Sequence, residues 1–169
     1  AVAGFDLRAA TGALRDAVDT GNRYIEAERP WERPAARADV LATLVRTARV
    51  IAGELPQAPI SQALDFILVE AEHGRVVFQG RPGFAHYNPM GTVHGGWFAT
   101  LLDSALGCAV HTTLPAGVGY TSLGLEAKYV RPISRDTGRV LCEANVLYRG
   151  RKQATAEATL TAADSAPSA

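Results

Sequence analysis

The sequence predicts an α+β fold in which one long apolar helix packs into a curved antiparallel sheet, preceded by an α-helical arm. Three observations carry this. From Trp97 to Val110 only Thr100, Asp103 and Ser104 are polar, so this stretch reads as a helix buried nearly all round. Beyond Pro59 apolar residues recur with a period of two, the signature of half-buried strands. Before Pro56 they recur at helical spacing instead.

The arm comes first. Leu7, Ala10, Leu14 and Val18 define one amphipathic helix, and Val40, Leu41, Leu44, Val45, Ala48 and Ile51 define a second. Between them Glu28 to Ala36 holds Pro30 and Pro34, which break the helical pattern. The division is therefore a helical arm over residues 1–56 and a second unit over residues 57–169. In that unit Asp65 to Ala71 and Arg75 to Gly80 flank Glu72-His73-Gly74, where the glycine can take a positive φ, so a hairpin is expected. Three further strands follow the long helix, at Tyr120 to Ile133, Arg139 to Arg149 and Gln153 to Ala162. Alternation assigns one face of each to the core: Thr121, Leu123, Leu125, Ala127 and Tyr129; then Val140, Cys142, Ala144, Val146 and Tyr148; then Ala154, Ala156, Ala158, Leu160 and Ala162. The small alanines of the last strand let a helix approach closely.

Composition narrows the function classes. The 169 residues carry 17 basic and 17 acidic side chains, so no long-range field favours nucleic acid or an anionic membrane. The two cysteines, Cys108 and Cys142, fall at apolar positions and read as buried thiols rather than a disulfide or ligand pair. No metal-ligand spacing is present, and no bound metal or cofactor is expected. No apolar run reaches the ~18 residues that would span a bilayer, and the first residues given do not show the basic-then-apolar pattern of a signal peptide. A reducing cytoplasm is the expected compartment.

The stretch Asn88-Pro89-Met90-Gly91-Thr92-Val93-His94-Gly95-Gly96 feeds the long helix. A helix that begins at a Gly-Gly pair offers bare N–H groups and the positive end of its dipole to a developing negative charge. Asp103 lies two turns further in, expected to be buried, and a buried carboxylate is paired, protonated or functional. Gly96 and Asp103 share a face of the helix but sit roughly 10 Å apart along its axis. One helix therefore does not easily hold a carbonyl oxygen at its start and a carboxylate beside the adjoining carbon. Two copies related by a two-fold axis can, with each site built from both chains.

These residues are similar to a known family. Residues 57 to 163 resemble the hotdog-fold acyl-CoA thioesterases of the PaaI type, in which a long central helix is wrapped by an antiparallel sheet. The resemblance rests on Pro59-Ile60, Glu70 to Phe78, Asn88 to Gly96, Leu102-Asp103-Ser104-Ala105-Leu106-Gly107, Leu114-Pro115-Ala116-Gly117, Tyr129-Val130-Arg131-Pro132 and Arg149-Gly150-Arg151. It implies hydrolysis of an acyl-CoA thioester by a homodimer or homotetramer, with coenzyme A as part of the substrate. By its pattern Asp103 is nucleophile or general base, and the Gly95 N–H meets the thioester oxygen. Asn88 and His94 surround the acyl carbonyl, and Thr121 positions water. For His94, a helix cap is an equal reading. Arg131, Arg149 and Arg151 fall at strand ends, where they meet the phosphates of coenzyme A or stay solvated. Gly96, Trp97 and Phe98 border the acyl group. His73, His86 and His111 read as turn or surface residues. The family has one more strand after Gln153 to Ala162, placed between it and the strand from Tyr120 to Ile133. No such strand follows here, so that ladder is expected to lack a neighbour.

The arm resembles part of the helical anticodon-binding domain of methionyl-tRNA synthetases, through Gly21 to Glu26, Pro30-Trp31 and the helix from Val40 to Leu55. That resemblance would stack Trp31 on a base, but the mixed charge of the arm favours an aromatic filler under a helical hairpin. Two other functions compete with thioester hydrolysis. One is a hotdog hydratase or dehydratase; the other is a dimerising domain without activity that carries a tRNA-binding-like arm.

Overall fold

The computed structural model describes residues 34–163. The first helix expected in the arm, and the segment with Trp31, lie outside the described residues. The second is present as α1, Pro34–Ile51, followed by a short α2, Pro59–Ala63. The strands are β1 (Phe66–Glu72), β2 (Arg75–Gly80), β3 (Val140–Arg149) and β4 (Ala154–Ala162), and the long helix α3 spans Gly95–His111. The sheet runs β1-β2-β3-β4, every neighbour antiparallel.

The hairpin between β1 and β2 forms as the pattern predicts, with Glu72 opposite Arg75 and Gly74 at φ 80°. Gly74 also fixes the far end of α3: its N–H donates to Thr112 Oγ1 at 2.8 Å, and that hydroxyl donates to the Ala109 carbonyl at 2.7 Å. Thr112 is buried, so both capacities of its oxygen are used. On β3, Val140, Cys142 and Ala144 face inward, and on β4 the alanines and Leu160 are half-buried while Thr155, Glu157, Thr159 and Thr161 are exposed, as alternation requires. On the outer face Arg75 ties three strands together, bonding Glu143 at 2.8 Å and Glu70 at 3.0 Å.

α3 lies across β2, β3 and β4 and buries Trp97, Phe98, Leu101, Ala105, Gly107 and Ala109. Its closest approach is at Gly80. A Cβ there would fall 2.7 Å from the Trp97 ring and 3.2 Å from Leu101, so the strand must present bare backbone at that point. Phe66, Phe78, Val76 and Val93 complete the core. α1 packs against β1, and the buried Thr43 donates to the Leu114 carbonyl at 3.1 Å. Among the described residues no helix is long and apolar enough to cross a membrane.

Two expectations are corrected. The described sheet has four strands, not five, because Tyr120 to Ile133 runs without a ladder partner. No strand lies between it and β4 among the described residues, and an extended chain without a neighbour cannot close backbone hydrogen bonds. The helix is also not buried all round: the face turned from the sheet carries Asp103, which is exposed. Leu101 is fully buried at the helix–sheet contact. Leu101→Ala should lower the free energy of unfolding by about 2–5 kcal/mol, read as a shift of the urea midpoint at unchanged slope.

Candidate active site

The loop leading into α3 is built by Asn88. Its Oδ1 accepts from Met90 N at 2.9 Å and Thr92 N at 3.2 Å, its Nδ2 donates to Thr92 Oγ1 at 2.9 Å, and its backbone N–H donates to the Thr92 carbonyl at 2.8 Å. Gly91, at φ 83°, makes the reversal possible. Asn88 thus spends its side chain on its own loop. His94 then caps the helix, with Nδ1 accepting from Gly96 N at 2.8 Å. Gly95, the first helical residue, makes no hydrogen bond through its N–H among the described residues, while its carbonyl accepts from the Tyr129 hydroxyl at 3.2 Å. A free amide at the positive end of a 17-residue helix is the arrangement that an oxyanion requires.

Asp103 lies eight residues further along, about 12 Å up the axis. Its Oδ1 accepts from Ser122 Oγ at 2.6 Å, the short distance of a charge-assisted O–H···O⁻ bond. Thr121, expected on the helix-facing side, is exposed and lines the same groove as Asp103, while the hydrogen bond to the carboxylate comes from its neighbour Ser122. The alternation of Tyr120 to Tyr129 defines two faces without saying which meets the helix. The apolar side chains of the other set, Leu123 and Leu125, are 79% and 40% exposed.

Asp103 and Ser122 line a groove of about 540 Å³ between α3, the extended segment and the edge of β4. Leu106, Val110, Leu114 and Val118 supply apolar walls, and Arg149, Arg151 and Lys152, on or beside the β3–β4 turn, add positive charge to the lining. Arg149 Nε is buried without a hydrogen-bond partner. The structure therefore brings Asp103, Arg149 and Arg151 into one groove. Exposed Arg131 is not part of it. Trp97 belongs to the core: it is 3% exposed, donates from Nε1 to the Leu64 carbonyl at 2.8 Å, and stacks on His86. Phe98 is buried between Trp97 and Tyr129. His73 is an exposed turn residue, whereas His86 and His111 are half-buried and in ring contacts.

The cysteines offer no nucleophile. Burial pushes the Cys108 thiol up, only partly offset by the Tyr120 hydroxyl, and burial pushes Cys142 up to about 12, so both stay protonated at neutral pH. Among the described residues no group of three or more His, Cys, Asp or Glu side chains could hold a metal ion.

Against known proteins, the profile of the thioesterase superfamily matches residues 90–169. A Thermus thermophilus protein of known structure is 30% identical, with a TM-score of 0.57 over 63% of this chain and 87% of that one. The family match thus covers the loop into α3, α3 itself and everything after it, a little under half of the chain. A Ralstonia eutropha protein named for a proposed thioesterase activity and for phenylacetic acid degradation shares the fold, with a TM-score of 0.63 at 24% identity over 70% of this chain and 90% of that one. A Halobacterium salinarum protein whose name proposes an esterase is 38% identical over 79 residues, 45% of this chain; the chain spans about half the length of this curated relative, 50% of it.

Capping predicts how His94 behaves. His94→Ala should cost about 0.5–2 kcal/mol of stability, and His94→Asn, which restores an acceptor at the cap, should recover most of it in thermal unfolding.

Proposed function

We propose that this chain is a thioesterase of that superfamily and hydrolyses an acyl-CoA thioester to free acid and coenzyme A, in a site shared by two copies. The observation that carries the reading is the Asp103–Ser122 pair in a groove that Arg149, Arg151 and Lys152 also line. A groove of about 540 Å³ suits a ligand with an apolar or amide-bearing arm and an anionic terminus. The unpartnered Arg149 Nε favours a phosphate there, with Arg151 and Lys152 beside it.

In this reading the Asp103 carboxylate accepts a proton from water as the water oxygen attacks the thioester carbon. The C–S bond then breaks and coenzyme A leaves as the thiol after taking up a proton. The alternative route has Asp103 attack directly to give an anhydride that water opens. The oxyanion of either tetrahedral intermediate meets the Gly95 N–H of a second copy, because the same chain's amide is about 12 Å away along the helix. His94 keeps that amide exposed by capping the turn, Asn88 holds the loop in front of it, and Ser122 fixes one oxygen of Asp103. The acyl group lies toward the helix start, where Gly96 and Phe98 border it. The exposed strip of Leu123, Leu125, Tyr129 and Val130 favours burial against a second copy, as a homodimer or a pair of dimers.

Three measurements test this. Asp103→Asn should keep assembly and KM while kcat for free-thiol release falls by about two to four orders of magnitude; a variant above a tenth of the wild-type rate defeats the assignment. Ser122→Ala should lower kcat by roughly tenfold, the scale of one charge-assisted hydrogen bond. Sedimentation should find the active species dimeric or tetrameric, and an active monomer would overturn the shared site.

A further inference from the structure

We infer that Tyr120, seated on Gly107, is a positioning residue that holds Ser122 against the Asp103 carboxylate; this rests on the reading of Asp103 and Ser122 given above. The extended segment that carries Ser122 has no ladder on either side among the described residues, so backbone pairing does not fix its register against α3. Its register is set by side chains. Tyr120, Ser122 and Tyr129 are side chains of this segment that reach the helix.

Tyr120 makes the nearest anchor to Ser122. Its ring lies so close over Gly107 that any Cβ at that position would overlap it. Glycine is the poorest helix former after proline, and here in mid-helix it opens the niche that the ring fills. The same ring packs on His111 at 5.6 Å between centroids, and its hydroxyl lies beside the Cys108 thiol. Burial, then Cys108 and Asp103, pushes the phenol above its ordinary range, so Tyr120 keeps its proton at neutral pH and acts as a neutral anchor.

The spacing explains how one contact sets the other. Two residues of extended chain advance about 6.6 Å, and four residues of helix advance about 6 Å. Tyr120 on Gly107 therefore delivers Ser122, two residues on, to Asp103, four residues back along the helix. Ser122 and Asp103 are both exposed, and a hydroxyl–carboxylate pair on a loose segment would exchange with water. Seating the ring removes that freedom.

The test uses the full chain and four variants, Tyr120→Phe, Tyr120→Ala, Gly107→Ala and Ser122→Ala, with the double variant Tyr120→Ala/Ser122→Ala. Tyr120→Ala should lower kcat by about tenfold with KM within about twofold, and Tyr120→Phe, which keeps the ring in its niche, should stay within about twofold of wild type. In the Ser122→Ala background the same Tyr120→Ala change should cost less than about twofold further, since its effect passes through a hydroxyl already removed. Gly107→Ala displaces the ring without deleting it and should reproduce the loss if Tyr120→Ala does not fold. Crystal structures supply a readout independent of turnover: the 2.6 Å Ser122–Asp103 bond should persist in Tyr120→Phe and open beyond hydrogen-bond range in Tyr120→Ala or Gly107→Ala. A full tenfold loss added on the Ser122→Ala background, or an intact bond without the seated ring, overturns the inference. If wild type turned over no acyl-CoA ester, the proposed reaction would fall while the bond distances would still decide the role of Tyr120.

Discussion

Trp97 and Leu101 rest on the bare backbone of Gly80, and that contact determines where α3 lies on the sheet. With those two side chains buried at 3% and 0%, the helix cannot roll without dragging an indole across a strand. The roll in turn decides what the other face presents. Asp103 lies two residues beyond Leu101, about 200° around the helix, so seating Leu101 in the core turns Asp103 outward. The same rotation places Gly107 one turn beyond Asp103 on nearly the same face. Packing on one side of α3 thus fixes the positions of the carboxylate and the ring niche on the other.

What covers that second face obeys different physics. The sheet side is held by ladders in which every neighbour pairs over several residues, whereas Tyr120 to Ile133 is held by a few side-chain contacts. Ladders fix register at every residue; side-chain contacts fix it only where they occur. This is why Tyr120 and Ser122 turn toward the helix, while Tyr129, seven residues further on, also touches it although strict alternation from Ser122 would turn it away. Between them Leu123 and Leu125 stay in solvent in the single chain, so the segment combines a fixed polar contact with an open apolar strip. An element so arranged gains its remaining stability from whatever covers the strip.

The parts of the molecule legible in the sequence are those governed by one dominant period. The hairpin turn at Gly74, the inward faces of β3 and β4, and the extent of α3 follow from alternation, helical spacing and the Gly-Gly start. Thr121 was read in place of Ser122 because the odd-numbered set, with Leu123, Leu125 and Ala127, is the more apolar, and apolar faces usually turn inward. Without a ladder beside it the segment is exempt from that rule. Asp103 was read as buried because its neighbours in sequence are apolar, although its neighbours in space depend on what overlies the helix. Gly107 carried a signal that spacing arguments do not use: a glycine in the middle of an otherwise strong helix points to a close approach by something, here the ring of Tyr120.

The position of Asp103 within α3 has an electrostatic consequence. Eight residues separate it from Gly95 and eight from His111, and the field of the helix ends fades within the first and last turns. Its own helix therefore neither stabilises nor opposes a charge at Asp103 to any useful extent. Support for the carboxylate must come from groups brought to the middle of the helix from elsewhere. In one chain the group that does so is the Ser122 hydroxyl, at 2.6 Å. The Gly95 amide has the opposite circumstance: it carries the helix-end field but has no carboxylate within its own turn. In the proposed reaction each of these two groups lacks what the other holds, and their separation is built into the length of one helix. Bringing the two groups together by bending would break the hydrogen bonds that make α3 a helix, whereas juxtaposing two copies leaves both helices intact.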